Sequence, residues 1–386
     1  MMSIADIELL KSDELREAIS QNVERDPAAV ALDRGVPEAR LVATQVKYLQ
    51  RARHKLPRLY EARCIIPPRA FEQSSSEDTA WRKHLSGGRL LDLTCGLGID
   101  TLSFSEHFER VVALERDEVL AEVVRYNLGL LGVDNVEVIT TSAEEYLATT
   151  EEHFDWVFAD PDRRSEDGRK MVCMEDCSPN MLALMPRLEA VAERIAIKLS
   201  PMFDVDEAFR LCSPAEVEVV SVAGECKEIN IYTRAESDML RVAITGVGEW
   251  SFGREDVALM PTTEEFVPSR WRYLLVPDVA VQKGRITVAA LRGVAKVWSN
   301  NGYGFAEEQP AEVLPCRCYE ILGIERYRPK ELKRRYKGRG VEIMKRDTRL
   351  SVEEVRRSIG ATAGSQHLLA VTSIAGENFV IELKQI

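Results

Sequence analysis

From Arg89 to Thr233 the chain alternates short apolar runs with stretches whose apolar residues recur at helical spacing. The runs are RLLDL (89–93), VVALE (111–115), VEVIT (136–140), WVFAD (156–160), RIAIKLS (194–200), VEVVSVA (217–223) and INIYT (229–233). Short, nearly continuous apolar runs read as strands buried on both faces, and strand–helix alternation builds a mostly parallel sheet with helices on each side. Only a polar turn, GECKE (224–228), separates the last two runs, which predicts an antiparallel hairpin closing one edge of the sheet. The expected centre of the molecule is a doubly wound α/β sheet.

That sheet takes up less than half of 386 residues, so further units are required. Residues 1–66 form an N-terminal helical region, with apolar spacing through Ile7, Leu10, Leu15 and Ile19 and again through Leu41, Val42, Val46 and Leu49. The sheet domain is expected over 67–250, a small α+β domain over 260–328 and a basic domain over 329–386. Net charge is −12, which excludes a general binder of nucleic acid or anionic membrane and makes any basic site a local one. No apolar run of about 20 residues is present to span a bilayer, and acids come early in the chain. A cytoplasmic protein is expected, with no membrane partner. The eight cysteines form no C-x2-C pair and no histidines cluster beside them, so they are read as buried free thiols and no metal is expected.

The strongest local signal is DLTCGLGIDT (92–101), in which a strand enters a glycine turn that opens a helix. Glycines there let backbone approach a ligand closely and leave helix N–H groups facing it. Glu115, at the end of the second strand, is placed to take both hydroxyls of a ribose. A dinucleotide and S-adenosylmethionine both fit such a layout. Position 94 is threonine where a dinucleotide loop needs glycine, and Asp92 and Asp100 would repel a pyrophosphate while suiting a cationic donor.

These residues resemble those of the class I S-adenosylmethionine-dependent methyltransferases, over about residues 70–235, and imply a Rossmann-like methyltransferase sheet. Carried over by position, the resemblance gives Asp92, Gly96 and Gly98 to the methionine end of the donor, Glu115 to the ribose, and Ser142 and Ala143 to the adenine; Asp100 joins the candidate donor site by its charge. Asp160-Pro161-Asp162-Arg163-Arg164 stands where relatives methylating an amino nitrogen carry D/N-P-P-aromatic. An amino nitrogen conjugated with a ring is a poor nucleophile. A carboxylate and a backbone carbonyl accepting its two N–H groups localise the lone pair and aim it. Asp160 and Pro161 are thus the candidate catalytic pair. Asp162 and Arg163 depart from the motif, and Arg163 and Arg164 become candidates for stacking on a base or pairing with phosphate.

QSSSEDTA, DLTCGLGIDT, ADPDRR, GRKMVCMEDCSP and IKLSP together resemble one bacterial methyltransferase subfamily with a THUMP-like C-terminal domain, which is similar to the RNA cap guanine-N2 methyltransferases. KGRGVEI (337–343) matches the THUMP-like opening, and the resemblance implies a ferredoxin-like small domain before it. Residues 325–349 hold 11 Lys/Arg and four acids, a net of +7, leaving −19 for the rest. Lys333, Arg334 and Arg335 in that segment are candidate RNA contacts, with Tyr327 and Tyr336 available to stack. Lys198 is read as a surface lysine, and Asp176 and Cys177 as part of a loop that covers the acceptor. The expected activity is methylation of a base amino nitrogen in tRNA or rRNA. A protein or small-molecule methyltransferase, and a non-catalytic binder of donor or RNA, remain alternatives.

Overall fold

The computed structural model describes residues 2–163 and 174–386, and the chain divides into two units, Met1–Leu199 with Ile231–Arg234, and Ser200–Asn230 with Ala235–Ile386.

The first unit begins with helices α1 (Ile4–Lys11), α2 (Asp13–Asn22), α3 (Pro27–Leu32), α4 (Ala39–Lys55), α5 (Pro57–Glu61), α6 (Pro68–Gln73) and α7 (Glu77–Ala80). Side-chain caps start most of these: Ser3, Ser12, Asp26 and Ser76 each accept a backbone N–H of the first turn. The alternating region follows: β1 (Gly87–Asp92), α8 (Ile99–Ser105), β2 (Phe108–Glu115), α9 (Glu118–Leu130), β3 (Val136–Thr140), α10 (Ala143–Thr149) and β4 (Phe154–Ala159). A short ribbon of β5 (Asp162–Arg163) and β6 (Cys177–Ser178) comes next, then α11 (Met181–Val191) and β7 (Ala192–Leu199). The N-terminal helices are not a separate bundle. Ile7 and Leu10 of α1 and Val42, Val46 and Leu49 of α4 share one buried core with Val123, Val124 and Leu128 of α9.

The strand order in this unit is β3-β2-β1-β4-β7, all parallel, with Leu90 paired to Val111 on one side and to Trp156 on the other. The order reverses between β1 and β4. At such a switch point the loops leaving the strand ends part, and ligands bind in the gap.

The second unit holds α12 (Val205–Cys212), β8 (Ala215–Val222), most of β9 (Glu225–Thr233), β10 (Met239–Ile244), β11 (Gly248–Gly253) and α13 (Arg254–Val257). The expected hairpin is present as β8 and β9, but the turn is Ala223-Gly224 (φ 51° and 81°), and residues 225–228 belong to the strand. Two consecutive left-handed residues are what a two-residue hairpin turn requires. The hairpin does not end the sheet: β10 pairs parallel with β8, and β11 pairs antiparallel with β10 beyond it.

A separate seven-stranded sheet follows, built from β12 (Tyr273–Pro277), α14 (Val279–Lys283), α15 (Thr287–Ala290), β13 (Lys296–Val297), β14 (Gly304–Ala306), β15 (Cys316–Arg326), α16 (Pro329–Tyr336), β16 (Gly340–Lys345), α17 (Val352–Ile359), β17 (Thr362–Ile374) and β18 (Glu377–Gln385). Its order is β13-β14-β12-β15-β18-β17-β16, continuous across residue 328. Leu332 and Tyr336 of α16 pack with Val355 and Ile359 of α17 onto Leu369 and Val371 of β17.

Candidate functional site

A crevice of about 780 Å³ opens where β1 and β4 end, entirely within the first unit. Its floor is the loop after β1, pinned between its neighbours. The Leu93 N–H donates to the Phe158 carbonyl (2.9 Å) and the Cys95 N–H to the Leu114 carbonyl (3.0 Å). One wall is the end of β2 and the start of α10, and the other is made by Leu41 and Thr44 of α4 with Pro68, Arg69 and Gln73 of α6.

Gly96 turns the loop with φ +56°, and a Cβ there would meet no neighbour closer than 3.9 Å, so its backbone borders open crevice. Its N–H donates to Glu115 Oε2 (3.0 Å), while Glu115 Oε1 accepts the Asp117 N–H (2.8 Å). The carboxylate on the crevice wall is thereby fixed in orientation; burial raises its pKa and the two backbone donors oppose the rise. Gly98, at φ +80°, starts α8, and a Cβ there would stand 3.0 Å from Val124 Cγ1. Ser142 caps α10 by accepting the Glu145 N–H (3.2 Å), and Ser142 and Ala143 both line the crevice.

The acidic residues are arranged differently from the expectation. Asp92 does not line the crevice. It is 1% exposed, with Oδ1 accepting the Thr94 N–H (3.0 Å) and Oδ2 the Thr101 hydroxyl (2.6 Å), so it props the loop from beneath. Burial pushes its carboxyl up to about 7, against those hydrogen bonds and with Asp100 and Asp160 adding repulsion. Asp100 is bound by cations from within the protein. Lys83 Nζ donates to Oδ1 (2.7 Å), the Ser75 hydroxyl to Oδ2 (2.6 Å), and Lys198 Nζ lies 3.5 Å away. Burial alone would raise its pKa; Lys83 and Lys198 override that and hold it well below the usual carboxylate range.

Asp160 stands at the end of β4, on the rim of the same crevice. Its N–H donates to Thr94 Oγ1 (2.6 Å) and its Oδ2 accepts from Lys198 Nζ (2.5 Å), which also donates to Ser75 Oγ (2.8 Å). Lys198 is therefore no surface lysine; its side chain is 11% exposed and links Asp160 to Asp100. A lysine in the middle of an apolar strand, RIAIKLS, is the sequence signal of a paired buried charge, since lysine is almost never buried without a partner. Lys83 (1% exposed) and Ser75 had no signal of that kind; their neighbours Ser76 and Glu77 cap and pack α7. Pro161 is buried, and Asp162, Ser178 of the ribbon and the following Pro179 line the crevice.

The side chain of Arg163, all of Arg164 and the side chain of Asp176 lie outside the described residues. Lys333, Arg334 and Arg335 belong to the second unit, exposed on α16, where Arg335 pairs with Glu325. Tyr336 is 1% exposed and packs in the core, so it offers no face to a base, and the Tyr327 hydroxyl is hydrogen-bonded to Ser358 (2.5 Å). Among the described residues no group of His, Cys, Asp or Glu is placed to hold a metal, and no helix is long and apolar enough to cross a membrane.

The Asp92 environment has a measurable consequence. Its folded pKa lies above its unfolded value, so between about pH 4 and 7 the unfolded chain releases a proton that the folded protein keeps. Stability attributable to this group falls as pH rises through that window, by up to about 4 kcal/mol at 1.36 kcal/mol per unit. Asp92→Asn removes the ionisation. Urea unfolding from pH 5 to 7.5 is expected to show the variant gaining on the wild type as pH rises; parallel profiles would contradict the assignment.

Two family models match the chain: Conserved hypothetical protein 95 over residues 78–182, and THUMP domain-like over residues 316–385, which takes in β15. An uncharacterized S-adenosylmethionine-dependent methyltransferase of Mycobacterium tuberculosis is 24% identical over 329 residues, covering 83% of this chain and 87% of that protein. A tRNA/tmRNA (uracil-C(5))-methyltransferase of Neisseria meningitidis serogroup A is 30% identical over 143 residues. That match covers 31% of this chain and 39% of the Neisseria protein, so the chain spans about two fifths of that relative. Among solved structures, a protein of Porphyromonas gingivalis W83 designated a candidate methyltransferase superposes with a TM-score of 0.82 at 23% identity, over 96% of this chain and 97% of that one, a likeness of fold. In fold the chain is similar to the Porphyromonas protein and in sequence to an S-adenosylmethionine-dependent methyltransferase, and its residues 316–385 match the THUMP domain-like model.

Proposed function

We propose that the protein methylates an exocyclic amino nitrogen of an RNA base, in tRNA or rRNA of the cytoplasm. The observation that carries this is Asp160-Pro161 on the rim of the crevice that Gly96 and Glu115 line, with the Asp160 carboxylate fixed by Lys198.

The residues present suit the donor. The crevice volume falls in the range of ordinary ligand sites and leaves room for a base beside a nucleoside. Glu115 would accept the ribose hydroxyls, the backbone at Gly96 would border the methionine end, and Ser142 and Ala143 at the start of α10 would hold the adenine. S-adenosylmethionine, when bound, supplies a methyl group on a positively charged sulfur. Asp160 then accepts an N–H of the acceptor amino group. The ion pair with Lys198 fixes the rotamer of Asp160, so the lone pair is aimed without rearrangement at the moment of reaction. Pro161 holds the backbone that follows in one shape.

RNA as the acceptor is supported by the THUMP-like match, the +7 segment and the RNA enzymes among the relatives. Asp160-Pro161, standing where relatives that methylate an amino nitrogen carry D/N-P-P-aromatic, supports nitrogen. Methylation of uracil at carbon, the activity named for the Neisseria relative, needs a nucleophile to activate the ring. Cys95 lines the crevice but is poorly suited to be that nucleophile, because it is 6% exposed and burial raises its thiol well above the ordinary value.

Labelled S-adenosylmethionine incubated with the protein and total RNA from cells lacking it is expected to yield an N-methylated base on nucleoside analysis. Label at uracil C5 moves the chemistry to carbon; label only in protein or metabolites ends the RNA assignment. Glu115→Gln is expected to weaken donor binding roughly tenfold to a hundredfold in calorimetry, the weight of hydrogen bonds to a charged acceptor. Unchanged affinity would remove Glu115 from the donor site.

A further inference from the structure

Helix α4 presents two unlike faces. Val42, Val46, Leu49 and Ala52 are buried in the core. On the opposite face Arg40, Thr44, Lys47, Arg51 and Lys55 recur three or four residues apart, and Thr44 lines the crevice. The helix contains five lysines and arginines and no acid. From 39 to 73, through α6, there are eight basic and two acidic residues, a net of +6 in a chain of −12.

Some of this charge is used locally. Arg51 pairs with Glu72 and stands 4.9 Å from the centre of the Phe71 ring, and Lys55 donates to the Phe71 carbonyl (2.7 Å). Arg40, Lys47 and Arg69 are exposed and make no ion pair among the described residues, and Arg69 lines the crevice. An acidic protein that gathers uncompensated cations on one helix face, continuous with the mouth of its ligand crevice, draws a polyanion to that mouth. Cations four residues apart on a helix are about 6 Å apart along its axis, comparable to the step between successive phosphates of an extended strand.

We infer that the α4–α6 face is a docking track for the phosphate backbone of a single-stranded RNA segment, on the strand that delivers its nucleotide to the crevice. This rests on RNA being the acceptor. It gives the first unit a basic face of its own, in addition to the basic run on α16 of the second unit. Phosphate contacts of this kind fix register without reading sequence.

The test is a salt titration of RNA binding by the full chain with bulk tRNA, comparing wild type with the double variant Arg40→Glu, Lys47→Glu. Both side chains are exposed, and calorimetry with S-adenosylmethionine checks that the fold and donor site are intact. At about 0.15 M salt the variant is expected to bind at least about tenfold more weakly, and the slope of log K against log salt to shrink by about 1.4, near 0.7 for each phosphate no longer neutralised. Unchanged affinity and slope in the variant would overturn the track while leaving RNA as the acceptor. No RNA binding by the wild type at low salt would bring down the acceptor assignment and the track with it. Polyglutamate binding the wild type as tightly as RNA, and lost in the variant, would reassign the face to an acidic protein.

Discussion

Replacing Asp160 by alanine is expected to lower turnover about a hundredfold, the scale of losing precise placement of a reacting group, while affinity for S-adenosylmethionine stays within about twofold. The separation follows from geometry. Glu115 and the Gly96 loop stand on one side of the crevice, and Asp160 on the β4 side, held by Thr94 (2.6 Å) and Lys198 (2.5 Å). An effect confined to kcat therefore identifies a group that acts on the acceptor rather than on the donor. Asp160→Asn keeps an oxygen acceptor but loses the ion pair with Lys198, and is expected to fall between wild type and alanine. Undiminished turnover in the alanine variant would sink the role given to this carboxylate.

The second large effect is on stability. Asp100→Ala is expected to cost about 3–5 kcal/mol, because it strands Lys83 in the interior without its carboxylate. The Lys83 side chain is 1% exposed, and its ammonium meets Asp100 Oδ1 at 2.7 Å. Removing both charges at once, Lys83→Met with Asp100→Leu, is expected to restore much of the loss, since a buried ion pair replaced by apolar groups is often neutral. Because the folded pKa of Asp100 lies below its unfolded one, its stabilising contribution is complete above about pH 4 and fades as pH falls further. Chemical denaturation of the three proteins at pH 7 decides the matter; a single variant within about 1 kcal/mol of wild type would show that the pair carries no such weight.

The Asp92 carboxylate shows how far a local motif reaches into three dimensions. Its position at the end of β1 is legible because strand, glycine turn and helix are local patterns. Whether its carboxylate faces a ligand or the protein depends on Thr101 and Thr94, and on burial that no linear pattern reports. The same holds for Lys198. The apolar run around it announces a strand, but Asp160 lies 38 residues away in sequence and is brought to it only by the parallel pairing of β4 with β7. Tyr336 shows the reverse, an aromatic in a basic run that helix α16 turns into the core.

The amino-acid sequence alone determined the strands and helices of the methyltransferase sheet, the glycine loop and the carboxylate at the end of β2. Hydrophobic period, glycine and charge are written residue by residue. It misplaced the hairpin turn, which lies at Ala223-Gly224, and the edge of the sheet, which β10 and β11 extend, and it left open the alignment of α4's basic face with the crevice. Those features, and the Lys83–Asp100–Lys198–Asp160 chain of charges, were decided by tertiary structure. Their partners meet only when sheet order and helix packing close distances that the sequence keeps apart, and a buried charge is tolerated only where such a meeting occurs.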